Sequence, residues 1–215
     1  ISLQNSFASI GQVSLHEGNA VIDRKDGDQG VEVQKYLDVF SYDTVITGNG
    51  KAFCAGADLS LGENTFDNGF DTKLSHEADF RRDAGGILAL KIYNSLKPVI
   101  AASNGAAVGV GATMQLPADI RIATSNSRYG FVFAKRGIVP DGCASWFLPK
   151  IIGIPRALEL CYSGRVINSD EALKLGLVDY LVEEDQLLDK AFELSDLYLN
   201  SSSPVSVIIS CSFSE

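Results

Sequence analysis

Apolar positions along the chain follow two spacings that alternate. Short apolar runs rich in β-branched residues predict strands, and apolar residues three and four positions apart predict helices. The expected strands are 12–15, 44–47, 99–102, 120–123, 129–133 and 177–182. The expected helices are 31–40, 84–96, 109–116, 143–152, 155–162, 169–175 and 185–200. This alternation, in which no close repeat is visible, indicates an α/β fold.

Glycine, proline and polar residues mark the boundaries of these elements. Pro98 follows the first long helix, Pro155 stands at a helix start, and Gly153 and Gly176 follow helix ends, as helix termini favour. Two polar stretches that contain glycine predict loops, namely 18–30 and 60–80.

Composition narrows the class of protein. The 215 residues suit one domain, and 46% hydrophobic against 21% charged residues is an ordinary globular composition. The net charge of −9 argues against broad binding to nucleic acid or to anionic membranes. No apolar run reaches the roughly 20 residues of a membrane span, and the first residues do not have the pattern of a signal peptide.

The four cysteines are widely spaced, at Cys54, Cys143, Cys161 and Cys211. This spacing gives no CxxC motif for zinc or redox chemistry, so we expect no metal site and reduced thiols in an intracellular protein. The last residues, Ser212 to Glu215, are not a peroxisomal address of the S-K-L type. Whether the compartment is cytoplasmic, peroxisomal or mitochondrial stays open.

Three segments contain more glycine and small residues than a core requires: 48–59, 104–112 and 137–143. The first is not a phosphate-binding P-loop, because Ala52 follows Lys51. In the second, a glycine-rich turn opens a helix, which suits either an oxyanion or close packing on a sheet. In the third, Asp141 is either a helix cap or an acid at the mouth of a pocket.

In this order and spacing, four segments resemble the crotonase superfamily, the enoyl-CoA hydratase/isomerase family. They are TGNGKAFCAGADL (47–59), KPVIAASNGAAVGVGATMQLPADIRIAT (97–124), YGFVFAKRGIVPDGCASWFLPKIIG (129–153) and ALELCYSGRVINSDEALKLGLVDYLV (157–182). The resemblance, which runs from about residue 44 to 200, implies a crotonase-like spiral of repeated ββα units with outer helices. It also implies a core at 1–200 and a short tail at 201–215, with the family's C-terminal trimerisation helices largely absent.

The resemblance also implies the site. The N–H groups of Ala57 and Val110 would form an oxyanion hole for a thioester carbonyl, and Asp141 would move the proton. Hydratases of the family use two glutamates, whose positions fall here on Thr113 and Phe133. One carboxylate suits an enoyl-CoA double-bond isomerase. An atypical hydratase, an acyl-CoA hydrolase and a non-catalytic acyl-CoA-binding paralogue remain alternatives.

Further residues follow from the same resemblance. The residues expected to contact substrate are Ala55, Gly56, Asp58, Gly109, Thr113, Phe133 and Lys51. Phe131, Phe133 and Trp146 are candidates for the wall of the site, although core packing is the favoured role for Trp146. Candidates for the phosphates of coenzyme A are Lys51, Lys97, Arg24 and Lys25. We expect no permanently bound cofactor, coenzyme A as part of an acyl-CoA substrate, and a homotrimer or hexamer.

Overall fold

The computed structural model describes residues 13–16, 19–24, 44–56 and 84–200, with backbone alone at 13–16, 19–24, 84 and 199–200. Its strands are β1 (Val13–His16), β2 (Asn19–Arg24), β3 (Thr44–Gly48), β4 (Ala52–Cys54), β5 (Val99–Ser103), β6 (Ala106–Val108), β7 (Ile120–Thr124), β8 (Arg128–Gly130), β9 (Val166–Asn168) and β10 (Tyr180–Val182). Its helices are α1 (Ala84–Tyr93), α2 (Val110–Thr113), α3 (Ala144–Ile152), α4 (Ile154–Ser163), α5 (Ser169–Leu175) and α6 (Leu187–Asn200). Two short 3₁₀ turns span Val132–Arg136 and Glu184–Gln186.

The strands form two sheets. The larger has the order β1-β2-β3-β5-β7-β10, and the smaller has the order β4-β6-β8-β9. In the larger sheet the pair β1–β2 is antiparallel and every later pair is parallel. In the smaller sheet β4, β6 and β8 are parallel, and β9 runs antiparallel to β8. The described chain therefore alternates between the sheets from β3 to β8.

The central strands of the larger sheet are buried on both faces, which explains their almost continuous apolar runs. Val45, Ile100 and Ile122 belong to a cluster with Leu187, Ala191 and Leu194 of α6. Their neighbours Ile46, Val99 and Ala123 belong to a larger cluster on the other side, together with Phe53, Tyr129 and Ile167 of the smaller sheet. The two-residue period of the strands thus divides one sheet between two cores.

The predicted glycine and proline positions lie at helix ends, and α5 has in addition an N-cap that was not predicted. Asn168 caps α5 by accepting a hydrogen bond from the N–H of Glu171 at 2.9 Å, and Gly176 ends it with φ of 77°. Gly153 ends α3 and Pro155 stands in the first turn of α4. Among the described residues, no helix is long and apolar enough to cross a membrane.

Several predicted elements need correction. The stretch 18–30 was expected to be a loop, yet residues 19–24 form β2, because β1 and β3 both pair with it. The expected helix 109–116 is reduced to α2, and the expected strand 129–133 ends at Gly130, before the 3₁₀ turn. The expected helix 31–40, the loop 60–80 and the tail 201–215 lie outside the described residues.

Candidate active site

The first two glycine-rich segments lie side by side. Strands β4 and β6 pair in parallel, with Ala52 opposite Ala106. A side chain on Gly105 would meet the carbonyl oxygen of Lys51, and one on Gly111 would meet the carbonyl oxygen of Cys54. Glycine at these two positions is therefore required by backbone-to-backbone contact between segments some fifty residues apart.

Asn104 fastens the turn that precedes β4. Its Nδ2 donates to the carbonyl oxygen of Gly50 at 2.8 Å, and its Oδ1 accepts from the N–H of Gly48 at 3.2 Å. One amide side chain thereby holds both ends of the turn 48–50 against the end of β5. Sequence reasoning treated Asn104 as part of a turn and missed this function, for which the Asn-Gly pair directly after a strand was the available signal.

The two segments leave their strands next to each other. Gly56 has φ of 101°, and a Cβ atom there would stand 2.9 Å from the carbonyl oxygen of Val108. Gly109 has φ of 57°, and its N–H donates to the carbonyl oxygen of Gly130 at 2.9 Å. A Cβ atom on Gly109 would lie 4.0 Å from the Cα atom of Gly56. Gly56, the last described residue of this segment, therefore lies directly beside the start of α2.

Val110 is the first residue of α2, and no described residue accepts a hydrogen bond from its N–H. That is the usual state of a first helical residue, so the role of Val110 as a donor to an oxyanion stays a prediction. Because α2 has only four residues, its dipole is small and the donor acts as a single N–H group. Ala57 and Asp58 lie outside the described residues, so the convergence of the Ala57 and Val110 N–H groups stays a prediction.

Asp141 is held against α2. The hydroxyl of Thr113 donates to its Oδ1 at 3.0 Å, and Thr113 is fully buried. The backbone then turns sharply, because Gly142 has φ of 58° and Cys143 has φ of 57°. Cys143 occupies the N-cap position of α3, a position that the sequence offered to Asp141. The strained conformation of a non-glycine residue here is typical of functional loops.

The first turn of α1 packs against the other side of this loop. A Cβ atom on Gly142 would lie 3.8 Å from the carbonyl oxygen of Gly85. The thiol of Cys143 lies 4.0 Å from the carbonyl oxygen of Gly86. Two small residues in α1 let its backbone approach the loop closely, so residues 141–143 are fixed between α1 and α2.

The aromatic candidates separate into core and surface. Phe131 and Phe133 are buried within the larger core cluster. Trp146 was expected in the core, but half of its surface is exposed and the ammonium group of Lys150 stands 4.2 Å from its ring centre. The core expectation for Trp146 is therefore wrong: α3 turns Phe147 and Leu148 inward, which leaves Trp146 on the outer face.

The cationic candidates for coenzyme A lie at two ends of the larger sheet. Arg24 is opposite Gly48 at the end of β3, and exposed Lys51 is in the turn that follows. Lys97 precedes β5, which runs parallel to β3, and therefore lies at the opposite end of the strands. Lys51 and Arg24 are near the glycine-rich turns and Lys97 is not, while Lys25 is outside the described residues.

Asp119 is a second carboxylate in the matched segments, and its role is structural. Its Oδ2 accepts from the N–H of Val99 at 2.7 Å, and its own N–H donates to the carbonyl oxygen of Val99 at 2.9 Å. Partial burial of the carboxyl group raises the pKa of Asp119, against the hydrogen bond from Val99 and the charge of Arg121. These contacts fix the start of β7 beside β5.

This chain has the crotonase fold. Its two sheets share one core, helices lie outside them, and two glycine-rich turns lie side by side. An enoyl-CoA hydratase/isomerase structure from Cupriavidus metallidurans matches 95% of this chain and 79% of its own with a TM-score of 0.79 at 24% identity. An enoyl-CoA hydratase structure from Bacillus anthracis matches 90% of this chain and 78% of its own with a TM-score of 0.71 at 28% identity. A sequence model of the enoyl-CoA hydratase/isomerase family matches residues 32–213. The chain belongs to that family.

The curated relatives include proteins named as hydratases and a protein named as an isomerase. An enoyl-CoA hydratase of Alternaria alternata is 43% identical over 160 residues, which are 74% of this chain and 51% of the relative. The 1,2-epoxyphenylacetyl-CoA isomerase of Escherichia coli is 33% identical over 159 residues, which are 70% of this chain and 56% of the relative. The chain spans about half the length of the curated relatives that it matches.

Proposed function

We propose that the chain is an enoyl-CoA double-bond isomerase in which Asp141 is the base. The observation that carries this proposal is the contact between Thr113 and Asp141, because it holds a carboxylate beside the helix that begins with the Val110 N–H. Thr113 and Phe133 occupy the positions at which the resemblance implies the two glutamates of hydratases, and neither side chain is an acid or a base at neutral pH.

The chemistry needs one carboxylate and two donors. Ionised Asp141 removes a proton from C2 of a 3-enoyl thioester, and the C–H electron pair forms an enolate conjugated with the double bond. The N–H groups of Ala57 and Val110 hold the enolate oxygen, each contributing roughly 3–4 kcal/mol. Asp141 then returns the proton to C4, which gives the 2-enoyl thioester. No atom is gained or lost, so no second acid or base is required.

Hydration of an enoyl-CoA is the second candidate, and the name of the Alternaria relative at 43% identity favours it. Here Asp141 activates a water molecule that adds to C3, and the enolate is protonated at C2. In either case coenzyme A enters as part of the substrate, and no cofactor is permanently bound. Lys51, exposed in the turn before β4, and Arg24, opposite Gly48, are the described candidates for its phosphates that lie near the glycine-rich turns. A homotrimer or hexamer is the proposed assembly.

One experiment separates the candidates. We would incubate 2-enoyl- and 3-enoyl-CoA thioesters of several chain lengths with the protein in water enriched in oxygen-18, separate the 2-enoyl from the 3-enoyl isomers by liquid chromatography, and analyse each product by mass spectrometry. An isomerase shifts the double bond without uptake of label, a hydratase adds one labelled water, and a hydrolase releases free coenzyme A. A protein that binds these thioesters and converts none of them contradicts the enzymatic proposal.

The same assay tests the base. Asp141→Asn keeps the shape of the side chain and removes the proton carrier, so kcat should fall by roughly 10²–10⁴. Asp189→Asn, an exposed change on α6, is the matched control and should leave kcat unaltered. Full activity of Asp141→Asn would exclude Asp141 as the base, since Asn is sterically equivalent.

A further inference from the structure

The hydroxyl of Thr113 has one proton and two acceptors within reach. The Oδ1 atom of Asp141 lies 3.0 Å away, and the carbonyl oxygen of Val110, one turn earlier in α2, lies 3.4 Å away. The shorter contact is to an ionisable carboxylate, and hydrogen bonds to charged acceptors are the stronger kind. The proton of Thr113 is therefore directed to Asp141 whenever that carboxylate is ionised.

Burial and the neighbouring loop restrict the position of this hydroxyl. Thr113 has no exposed surface, and its two β substituents restrict its rotamers. A Cβ atom on Gly142 would stand 2.5 Å from the Thr113 Oγ1 atom and 3.0 Å from its Cβ atom. The residue after Asp141 thus presses its backbone onto Thr113, so the hydrogen bond joins two groups that have little freedom to separate.

A carboxylate rotates easily about its Cβ–Cγ bond, because that torsion is broad. A base that takes a proton from one carbon and returns it to another must keep its oxygens in one plane relative to the acyl chain, since misplacement of a reacting group by about 1 Å costs roughly 10²-fold in rate. A donor fixed to Oδ1 supplies this constraint.

We propose that Thr113 is a positioning residue, whose hydroxyl sets the orientation of the Asp141 carboxylate for proton transfer. This inference rests on the proposed function of Asp141 and extends it to the position where the resemblance implies a glutamate in hydratases. Because the side chain is buried and its proton is engaged by Asp141, Thr113 acts through Asp141. The sequence-based expectation was a direct contact between Thr113 and substrate.

Two substitutions separate these roles. Thr113→Val keeps the branched shape and removes the hydroxyl, and Thr113→Ser keeps the hydroxyl and removes the methyl group. Positioning predicts that kcat falls roughly 10- to 100-fold in Thr113→Val, the range of one hydrogen bond to a charged group. KM should stay within about twofold, and Thr113→Ser should recover most of kcat. Direct substrate contact predicts instead a rise in KM.

Thr44→Val is the matched control. Thr44 is a buried threonine at the start of β3, and its hydroxyl has no hydrogen-bond partner among the described residues. Its substitution should change neither kcat nor KM. Thermal unfolding of all the variants, with activity expressed per folded protein, removes differences in stability. Loss of stability in Thr113→Val with unchanged kcat would overturn the positioning role.

Crystal structures of the unaltered protein and of Thr113→Val supply a readout that does not depend on turnover. The carboxylate of Asp141 should rotate or become disordered about Cβ–Cγ in the variant, and it should keep its orientation in Thr113→Ser. If the unaltered protein converts no enoyl-CoA, the proposed function fails while this structural comparison still decides the role of Thr113. An Asp141 carboxylate with the same orientation in Thr113→Val would refute the inference.

Discussion

The carbonyl oxygen of Cys54 occupies the space that a side chain on Gly111 would need. The Cys54 oxygen belongs to the backbone of β4, and the added Cβ atom would be bonded directly to the backbone of α2, so neither can move aside as the end of a flexible side chain would. We predict that Gly111→Ala destabilises the protein by about 1–3 kcal/mol, because overpacking outweighs the roughly 1 kcal/mol that alanine gains over glycine in a helix. The measurement is urea unfolding.

Gly137→Ala is the control for that substitution. Gly137 has φ of 69°, and a Cβ atom there would meet no atom within 4 Å, so its cost is limited to the left-handed backbone, roughly 1 kcal/mol. Equal destabilisation by the two alanines would show that the contact between Gly111 and Cys54 is not tight.

Asn104 should stabilise the turn 48–50 specifically. Asn104→Ala removes one donor and one acceptor, which we expect to cost about 1–3 kcal/mol in total. Amide hydrogen exchange should accelerate at Gly48 and its neighbours more than in the rest of β3. Asn126→Ala, which removes an exposed contact with Glu184 at 3.1 Å, is the control. Uniform acceleration in both variants would argue against a local tie.

Arg165 should govern part of the acid stability. Its guanidinium group contacts Glu159 at 2.7 Å and Glu171 at 2.6 Å, and these hydrogen bonds lower the pKa of both carboxyl groups below the usual 4.5. A lowered pKa in the folded state gives stability that is present above about pH 4.5 and lost as the pH falls through the folded-state values.

Arg165→Gln should therefore weaken the decline of stability below pH 4.5, measured as urea midpoints between pH 7 and pH 3. Arg156→Gln removes the same charge from an exposed site on α4 and should keep the decline. Parallel curves for Arg165→Gln and the unaltered protein would contradict a role for this ion-pair cluster in acid unfolding.

Tyr129 should make the stability of the protein depend on pH in the alkaline range, where stability falls as the pH rises. Burial raises the pKa of its hydroxyl from 10.0 to about 12, and the nearby Ser103 and Ser127 lower this pKa by less. No described residue forms a hydrogen bond of ordinary geometry with the hydroxyl group. The unfolded state then loses this proton first, so stability is complete below about pH 10 and declines as the pH rises toward 12.

Tyr129→Phe should remove this decline. We expect a difference within about 1 kcal/mol at pH 7, and an advantage for the variant that grows to at most about 2–3 kcal/mol by pH 12. The readout is urea unfolding at several alkaline pH values. Exposed Tyr162, changed to phenylalanine, serves as the control. A constant difference between Tyr129→Phe and the unaltered protein would contradict the assignment.

The elements predicted correctly are those whose own residues decide them. The β-branched run 44–47 and the apolar run 99–102 became β3 and β5, and the capped segment 169–175 became α5. Strands β4, β6 and β9 have three residues each and were not predicted, because so short a run has no detectable period; β8 and β10 are equally short but overlap the longer predicted runs 129–133 and 177–182. Strand β2 exists because β1 and β3 pair with it, which no local pattern reports.

In the candidate site, too, some residues could be identified from the sequence, while the contacts between them depend on the fold. Gly56, Gly109 and Asp141 were identified from glycine spacing and resemblance, and the structure gives the two glycines left-handed backbone. The hydrogen bond between Thr113 and Asp141 joins residues 28 positions apart on different elements. Its geometry depends on the turn at Gly142 and Cys143, and no rule of sequence spacing encodes it. The exposure of Trp146 depends on how α3 rotates against the core, which the apolar pattern alone left ambiguous.

The strand order of the sheets has a consequence for the nascent chain. In both sheets the described strands are arranged in the order in which they are synthesised, from β1 to β10 and from β4 to β9. Each strand that leaves the ribosome therefore meets an open edge formed by the strand before it, and no described strand has to insert between two that are already paired. Assembly can advance in one direction with translation, and the unpaired edge that invites aggregation is covered by the next strand of the same chain.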